Sequence, residues 1–275
     1  MFKNHTALSA SAHGDLRLSS VFGYDHAAAE AWLPVGLGEA GMVAREYAIV
    51  FSSDGDSALP VALTGVVAGR NDYVDPEGQW RARYVPAHVR RYPFIAGQAP
   101  AESGARKLVL MFDADAPHFQ GAQGLPLFDA AGQPTELVGR VEKVLLDLQQ
   151  DYTRARKAVK ALEAEGLLSV QKLRIQRKGG ETHDVSGFRV LDLKKFGELG
   201  ADALLRLRDC GALMLAHAHL FSLSNLRDGV LSQTLLVLRQ AEKPATHMPV
   251  GVGLPQDEAL NFDGVDWSKL GGDKH

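Results

Sequence analysis

The chain has 275 residues, 45% of them hydrophobic and 23% charged, with a formal net charge of −3. That is enough apolar material for a real core, and the weak negative balance excludes a global field that would hold nucleic acid or an anionic membrane. A single cysteine, Cys210, excludes an internal disulfide framework and fits a reducing compartment.

The first residues, MFKNHTALSASAHGDL, contain no continuous apolar stretch of the signal-peptide kind. The longest apolar runs, such as Ala212 to Ala216, are far too short to span a bilayer, so the expected location is the cytoplasm. Residues 1–41 are rich in Gly, Ala and Ser and read as irregular, with one strand at Leu16–Leu18. Gly36 and Gly38 lack the strand–GxGxxG–helix order of a dinucleotide loop.

Glu46–Phe51 is the first firm strand, and the turn SSDGDS joins it to a second at Leu59–Val67, as an antiparallel hairpin. A polar turn over Asn71 to Gly78 leads to a third strand at Gln79–Val85. Pro86 suits the start of a short helix and Pro93 its stop. Lys107–Phe112 is a strongly apolar strand, and Pro126–Asp129 with Gly132 reads as a small edge hairpin.

At Thr135 the character changes. Val141, Leu145, Leu148, Tyr152, Ala155, Val159 and Leu162 recur at steps of four and three, and Gly166 stands where a helix C-cap belongs. The pattern predicts an amphipathic helix docked on the sheet rather than a coiled-coil seam. Straight, it would be about 43 Å long, so a break is expected near Asp151–Thr153. A strand pair (Ser169–Gln176 and Ser186–Leu191) and two helices, Ala201–Asp209 and Ala212–Leu223, split at Gly211, complete the pattern. Beyond Ala241, prolines and glycines without apolar period predict a loose tail whose deletion barely moves the melting temperature.

Several phrases together resemble the SapC family of bacterial proteins: HGDLRL near the start, EYAIVF, LPVALTGV, GQWRARYVPAHVRRYPF at 78–94, the turn GLPLFD at 124–129, then GFRVLDLKKFGEL, ALLRLRDCGAL and AHLFSL. Their order and spacing hold from about Leu8 to Leu226. The family name comes from a gene linked to bacterial S-layers and is shared with an unrelated permease, a role that the lack of a spanning segment argues against. The resemblance implies work alongside outer-membrane uptake receptors, tryptophan-halogenase-like flavoproteins and cupin-type proteins. It carries over no catalytic residues.

The richest chemistry lies in that 78–94 phrase. A strand at 79–85 would put Trp80, Ala82 and Tyr84 on one face and Arg81 and Arg83 on the other. The short helix adds His88, Arg90 and Arg91, with Tyr92 one turn above His88. Guanidinium forks beside aromatic faces suit a carboxylate, a phosphate or a peptide terminus. The bland alternative is that these arginines pair with Asp72, Asp75 and Glu77.

Elsewhere, Asp113 and Asp115 end an apolar strand with His118 nearby, a placement that suits a hard divalent metal if His118 or Glu136 converges on them. His217 and His219 resemble a metal-binding H-x-H, but on a helix positions i and i+2 diverge. Cys210 reads as inert burial and RIQRKGG at 174–180 as a solvated hairpin tip.

The sequence therefore predicts an α+β fold in a single domain over 1–240, a mainly antiparallel sheet (1–134) packed with a helical half (135–240), followed by the tail at 241–275. The leading functional expectation is a non-catalytic cytoplasmic accessory, without metal or other cofactor. It would bind a peptide or small anionic ligand, and no nucleic acid, through Trp80, Arg81, Arg83, Tyr84, His88, Arg90, Arg91 and Tyr92. The alternative is a metal-assisted transferase or hydrolase built on Asp113 and Asp115.

Overall fold

Two hydrophobic clusters, bridged by one long helix, organise the chain. The computed structural model describes residues 1–237 apart from Phe22, residues 101–105, Ala122, residues 178–179 and Glu181. The expected loose tail lies outside the described residues.

In chain order the strands are β1 (His5–Ala7), β2 (Arg17–Leu18), β3 (Trp32–Pro34), β4 (Ala48–Ser52), β5 (Pro60–Leu63), β6 (Phe94–Pro100), β7 (Arg106–Asp113), β8 (Leu125–Pro126), β9 (Leu168–Arg177), β10 (Thr182–Leu191) and β11 (Leu235–Val237). The helices that matter here are α1 (Ala10–His13), α2 (Ala40–Val43), α3 (Ala87–Arg90), α4 (Glu136–Ala164), α5 (Leu193–Gly197), α6 (Ala201–Asp209) and α7 (Ala212–Ser222). The strands form a six-stranded sheet in the order β11-β9-β10-β4-β5-β3, a three-stranded sheet β1-β7-β6 and a pair β2-β8. Each strand pairing is antiparallel, and the fold is α+β. The larger sheet takes strands from both sides of Thr135.

β4 reads AIVFS and is buried at every position, because α7 covers one face of it. It pairs with β10 only at Ser52 and Phe51. Where the two strands part, α7 replaces the missing ladder. The Ile49 N–H donates to Ser222 Oγ at 2.9 Å, His219 Nδ1–H donates to the Ile49 carbonyl at 2.7 Å, and the Leu191 N–H donates to His219 Nε2 at 3.2 Å. These partners fix the tautomer. His219 is buried and structural, and burial holds its pKa below the ordinary histidine value.

The expected break in the long helix is absent: α4 runs unbroken for 29 residues. It need not fit one core, because its two ends serve different ones. Val138 and Leu145 join Phe94, Leu110, Phe112, Leu127 and Phe128, whereas Ala155, Ala158, Val159 and Leu162 join the larger cluster under the six-stranded sheet. Between them, the Asp151 carboxylate accepts the Gly38 N–H at 3.0 Å. A Cβ on Gly36 would lie 2.0 Å from Asp151 Oδ2, so the two glycines make room for α4 to dock.

The expected strand at 79–85 is also absent. Only an isolated bridge, Val74 to Trp80, is present, because the segment's backbone groups are taken elsewhere: the Arg81 N–H donates to the Tyr73 carbonyl and the Arg83 N–H to Glu46 Oε2. Inward–outward alternation survives without the ladder. Trp80, Ala82 and Tyr84 pack on the larger cluster, and Arg81 and Arg83 are exposed. The edge hairpin at Pro126–Asp129 is a correction of the same kind. Leu125–Pro126 pairs with Arg17–Leu18, and the turn beyond it closes with one bridge, Phe128 to Pro134.

Candidate functional site

Of the arginine–aromatic block, Trp80 and Tyr84 serve the interior. Trp80 Nε1–H donates to Tyr47 Oη at 2.6 Å, the Tyr47 hydroxyl donates to the Tyr84 carbonyl, and Tyr47 stacks on Tyr73 with centroids 4.5 Å apart. Burial pushes the Tyr47 and Tyr73 hydroxyls well above their usual range. The Tyr84 hydroxyl donates to the buried Glu39 carboxylate at 2.8 Å, and that carboxylate also accepts the Ala87 N–H at 2.9 Å, tying down the start of α3.

The arginines part ways. Arg81 donates to the Asp72 backbone carbonyl at 3.1 Å and to the Gln233 side chain, whereas the Asp72 carboxylate pairs with Arg70. Arg83 borders a separate hollow with Glu46 and Asp228. Among the described residues, no carboxylate lies within ion-pair distance of Arg83, Arg90 or Arg91. Stitching to Asp72, Asp75 and Glu77 therefore does not account for these three.

Arg90, Arg91 and Tyr92 emerge where α3 ends and β6 begins, and there they line a cavity of about 600 Å³. The first turns of α4 form the facing wall with Arg140, Val141, Val144 and Leu145. Leu18 to Val21, Gly124 and Leu125 form a third wall, Phe94 adds an apolar surface, and His118 completes the lining. Gly124 is required for this closure: its φ is +151° and a Cβ there would lie 2.6 Å from the Leu18 carbonyl oxygen. The lining holds three guanidinium groups and no carboxylate.

These three cations differ. Arg90 is occupied, its Nε donating to the Val85 carbonyl at 2.9 Å and its Nη2 to Tyr84 Oη at 3.2 Å, with the guanidinium over the Tyr84 ring. Arg140 is exposed and lies 3.6 Å from Glu136 on its own helix. Arg91 is largely buried. Its Nη2 reaches His88 Nε2 at 3.4 Å, its charge sits 5.3 Å from the Phe2 ring centroid, and its buried Nε has no partner. Burial pulls its pKa down and outweighs the more distant Glu30 charge, which is beyond ion-pair contact.

His88 holds this arrangement from behind. Its Nδ1 lies 3.1 Å from Tyr152 Oη on α4, and burial lowers its pKa to about 3, so it is neutral. Tyr92 does not stack on His88, because α3 has ended before it. Instead it stacks on His26 (4.1 Å, 8°), and its hydroxyl donates to Asp113 at 3.1 Å. His26, its pKa lowered by burial to about 4, borders a second cavity of about 350 Å³ that shares Val21, Tyr92 and His118 with the first.

Among the described residues, no third His, Cys, Asp or Glu converges on the paired aspartates. Asp113 is buried and accepts from the backbone N–H groups of Lys3 (3.0 Å), Asn4 (2.9 Å) and Asp115 (3.3 Å) and from Tyr92. Burial alone would raise its pKa, but these donors outweigh it and hold the carboxyl below its usual value. Asp113 anchors the N-terminal segment. No group of three or more His, Cys, Asp or Glu among the described residues has metal-holding geometry. His217 lies on α7 with its Nδ1 2.7 Å from the Leu213 carbonyl, apart from His219's contacts.

Thus the structure brings together Arg90, Arg91 and Tyr92, puts His88 in support, and leaves Trp80, Arg81, Arg83 and Tyr84 outside the cavity. Sequence reasoning missed Arg140, Leu18, Val21, Phe94, Leu125, Val141 and Val144 as lining residues. One signal was available: Val144 lies off the buried stripe of α4, an apolar residue on a polar face.

The SapC family model matches residues 8–228. No curated protein and no solved structure matches the chain.

Proposed function

The chain belongs to the SapC family, and we propose that it is a non-catalytic accessory protein that holds a small anionic ligand in the Arg90–Arg91–Tyr92 cavity. The observation that carries this reading is Arg91. A largely buried guanidinium with no carboxylate in ion-pair contact and an unpartnered Nε is an unfavourable arrangement that a bound anion would complete. Neither exposed arginine alone would argue for a site. A peptide's terminal carboxylate and a small organic acid both meet the charge requirement.

The cytoplasm is our reading for location, supported by the single cysteine. No helix among the described residues is long and apolar enough to cross a membrane. Fractionation of the native cell tests this reading.

The test of binding is to purify the protein under native conditions, release bound small molecules by denaturation, and identify them by mass spectrometry, beside Arg91→Gln. The expected result is an anionic compound approaching one per chain, lost in the variant while the fold and melting temperature are kept. An anion retained equally by both proteins, or absent from both, refutes the reading.

A further inference from the structure

Building on the proposed anion site, we infer that the cavity is shaped for a single-chain amphiphilic monoanion, with a carboxylate set on Arg91 and an alkyl chain of about ten to twelve carbons laid along the apolar walls. Three observations converge. The first is charge. Of the three lining cations, Arg140 has Glu136 beside it and Arg90 spends N–H donors on the Val85 carbonyl and the Tyr84 hydroxyl, so Arg91 is the cation with donors left for a head group. A single guanidinium with free donors fits the two oxygens of a carboxylate better than the three of a phosphate.

The second observation is the wall. Leu18, Val21, Phe94, Leu125, Val141 and Leu145 face the same space, and Leu125 and Val144 are each 58% exposed at its rim. Large apolar side chains on both sides of an open cleft leave surface that an alkyl chain would cover. The third is size. A volume of about 600 Å³ holds roughly twenty waters' worth of material, and a twelve-carbon chain with its carboxylate fills a little over half of that. His118 also lines the cavity, neutral because burial lowers its pKa, with a buried Nδ1 that has no partner. An apolar peptide end would satisfy the charge but would bring backbone N–H and C=O groups against walls that offer them few partners.

Isothermal titration of the full chain with the n-alkanoates from butanoate to tetradecanoate, each below its micelle concentration, tests the inference. Decanol, decyltrimethylammonium and a Leu-Leu-Leu peptide with a free C-terminus serve as controls. Affinity should climb by about two- to fourfold per methylene, the upper value being full burial, and level off near ten to twelve carbons. Arg91→Gln should weaken decanoate by about ten- to a hundredfold, the size of a lost charge-assisted hydrogen bond. Val144→Glu, at an exposed site that does not risk the fold, should weaken decanoate while leaving butanoate unchanged. Decanol and the ammonium should bind weakly.

If butanoate or the tripeptide binds as tightly as decanoate and still depends on Arg91, the amphiphile inference is overturned and the anion site stands. If no carboxylate binds in an Arg91-dependent way, both fall.

Discussion

Acidification should expose the buried histidines. His88 is pressed between α3 and α4, facing Tyr152 on one side and the Arg91 guanidinium on the other, and burial lowers its pKa from 6.5 to about 3. The unfolded chain therefore takes up a proton that the folded chain refuses. Stability from this residue is full above pH 6.5 and drains as the pH falls toward 3. Between pH 7.5 and pH 5 the loss is about 2 kcal/mol, because the unfolded imidazole is by then almost fully protonated. His26, with a pKa of about 4 from burial, acts in the same direction, and at its greater exposure we discount it to about 1 kcal/mol. The sum of about 3 kcal/mol corresponds to a fall in melting temperature of roughly 6–12 °C for a chain of this size.

Urea titrations at pH 7.5, 6 and 5 on the wild type and on His88→Gln measure the effect. Glutamine keeps a hydrogen-bonding side chain toward Tyr152 but cannot titrate. The variant should be less stable at pH 7.5, and it should lose about 2 kcal/mol less than the wild type on going to pH 5. Parallel loss in the two proteins would show that His88 is not held neutral, and would remove its Nε2 as an acceptor for the Arg91 guanidinium.

Other consequences follow from single contacts. Arg91→Gln in the ligand-free protein should leave stability unchanged or raise it by about 1–2 kcal/mol, read as a melting temperature, since it removes a buried charge with no carboxylate partner. Gly36→Ala should cost about 1–3 kcal/mol because its Cβ meets Asp151 Oδ2 at 2.0 Å, and Asp151→Ala should relieve part of that loss in the double variant; additive losses in denaturant titrations would refute the docking contact. His219→Leu should cost about 2–5 kcal/mol, because it leaves the Ile49 carbonyl and the Leu191 N–H buried without partners; a near-neutral result would mean water replaces the ring.

How much of this was legible in the residues depends on the range of the interaction. The apolar runs of β7 and β4 and the hairpin to β5 are properties of a few neighbouring side chains and a turn, and the sequence alone determined them. The same holds for the start of α4 near Thr135, its stop before Gly166, the split at Gly211 and the α+β class. The family membership was legible in phrases whose order spans most of the chain.

Other features belong to the tertiary structure. Whether α4 breaks at Asp151 is decided by a second cluster that gives its N-terminal half somewhere to bury and by two glycines that are more than a hundred residues away in sequence. Whether Gln79–Val85 is a strand is decided by Glu46 and Tyr73, which take the backbone groups a ladder would need. In the same way, alternation predicted which way Trp80 and Arg81 point but not what they meet. Of four neighbouring arginines, one reaches a backbone carbonyl, one covers a tyrosine, one faces a separate hollow and Arg91 is left buried without a carboxylate. Charge pairing acts over a few ångströms in space and without regard to distance along the chain, so only the folded molecule could single out Arg91.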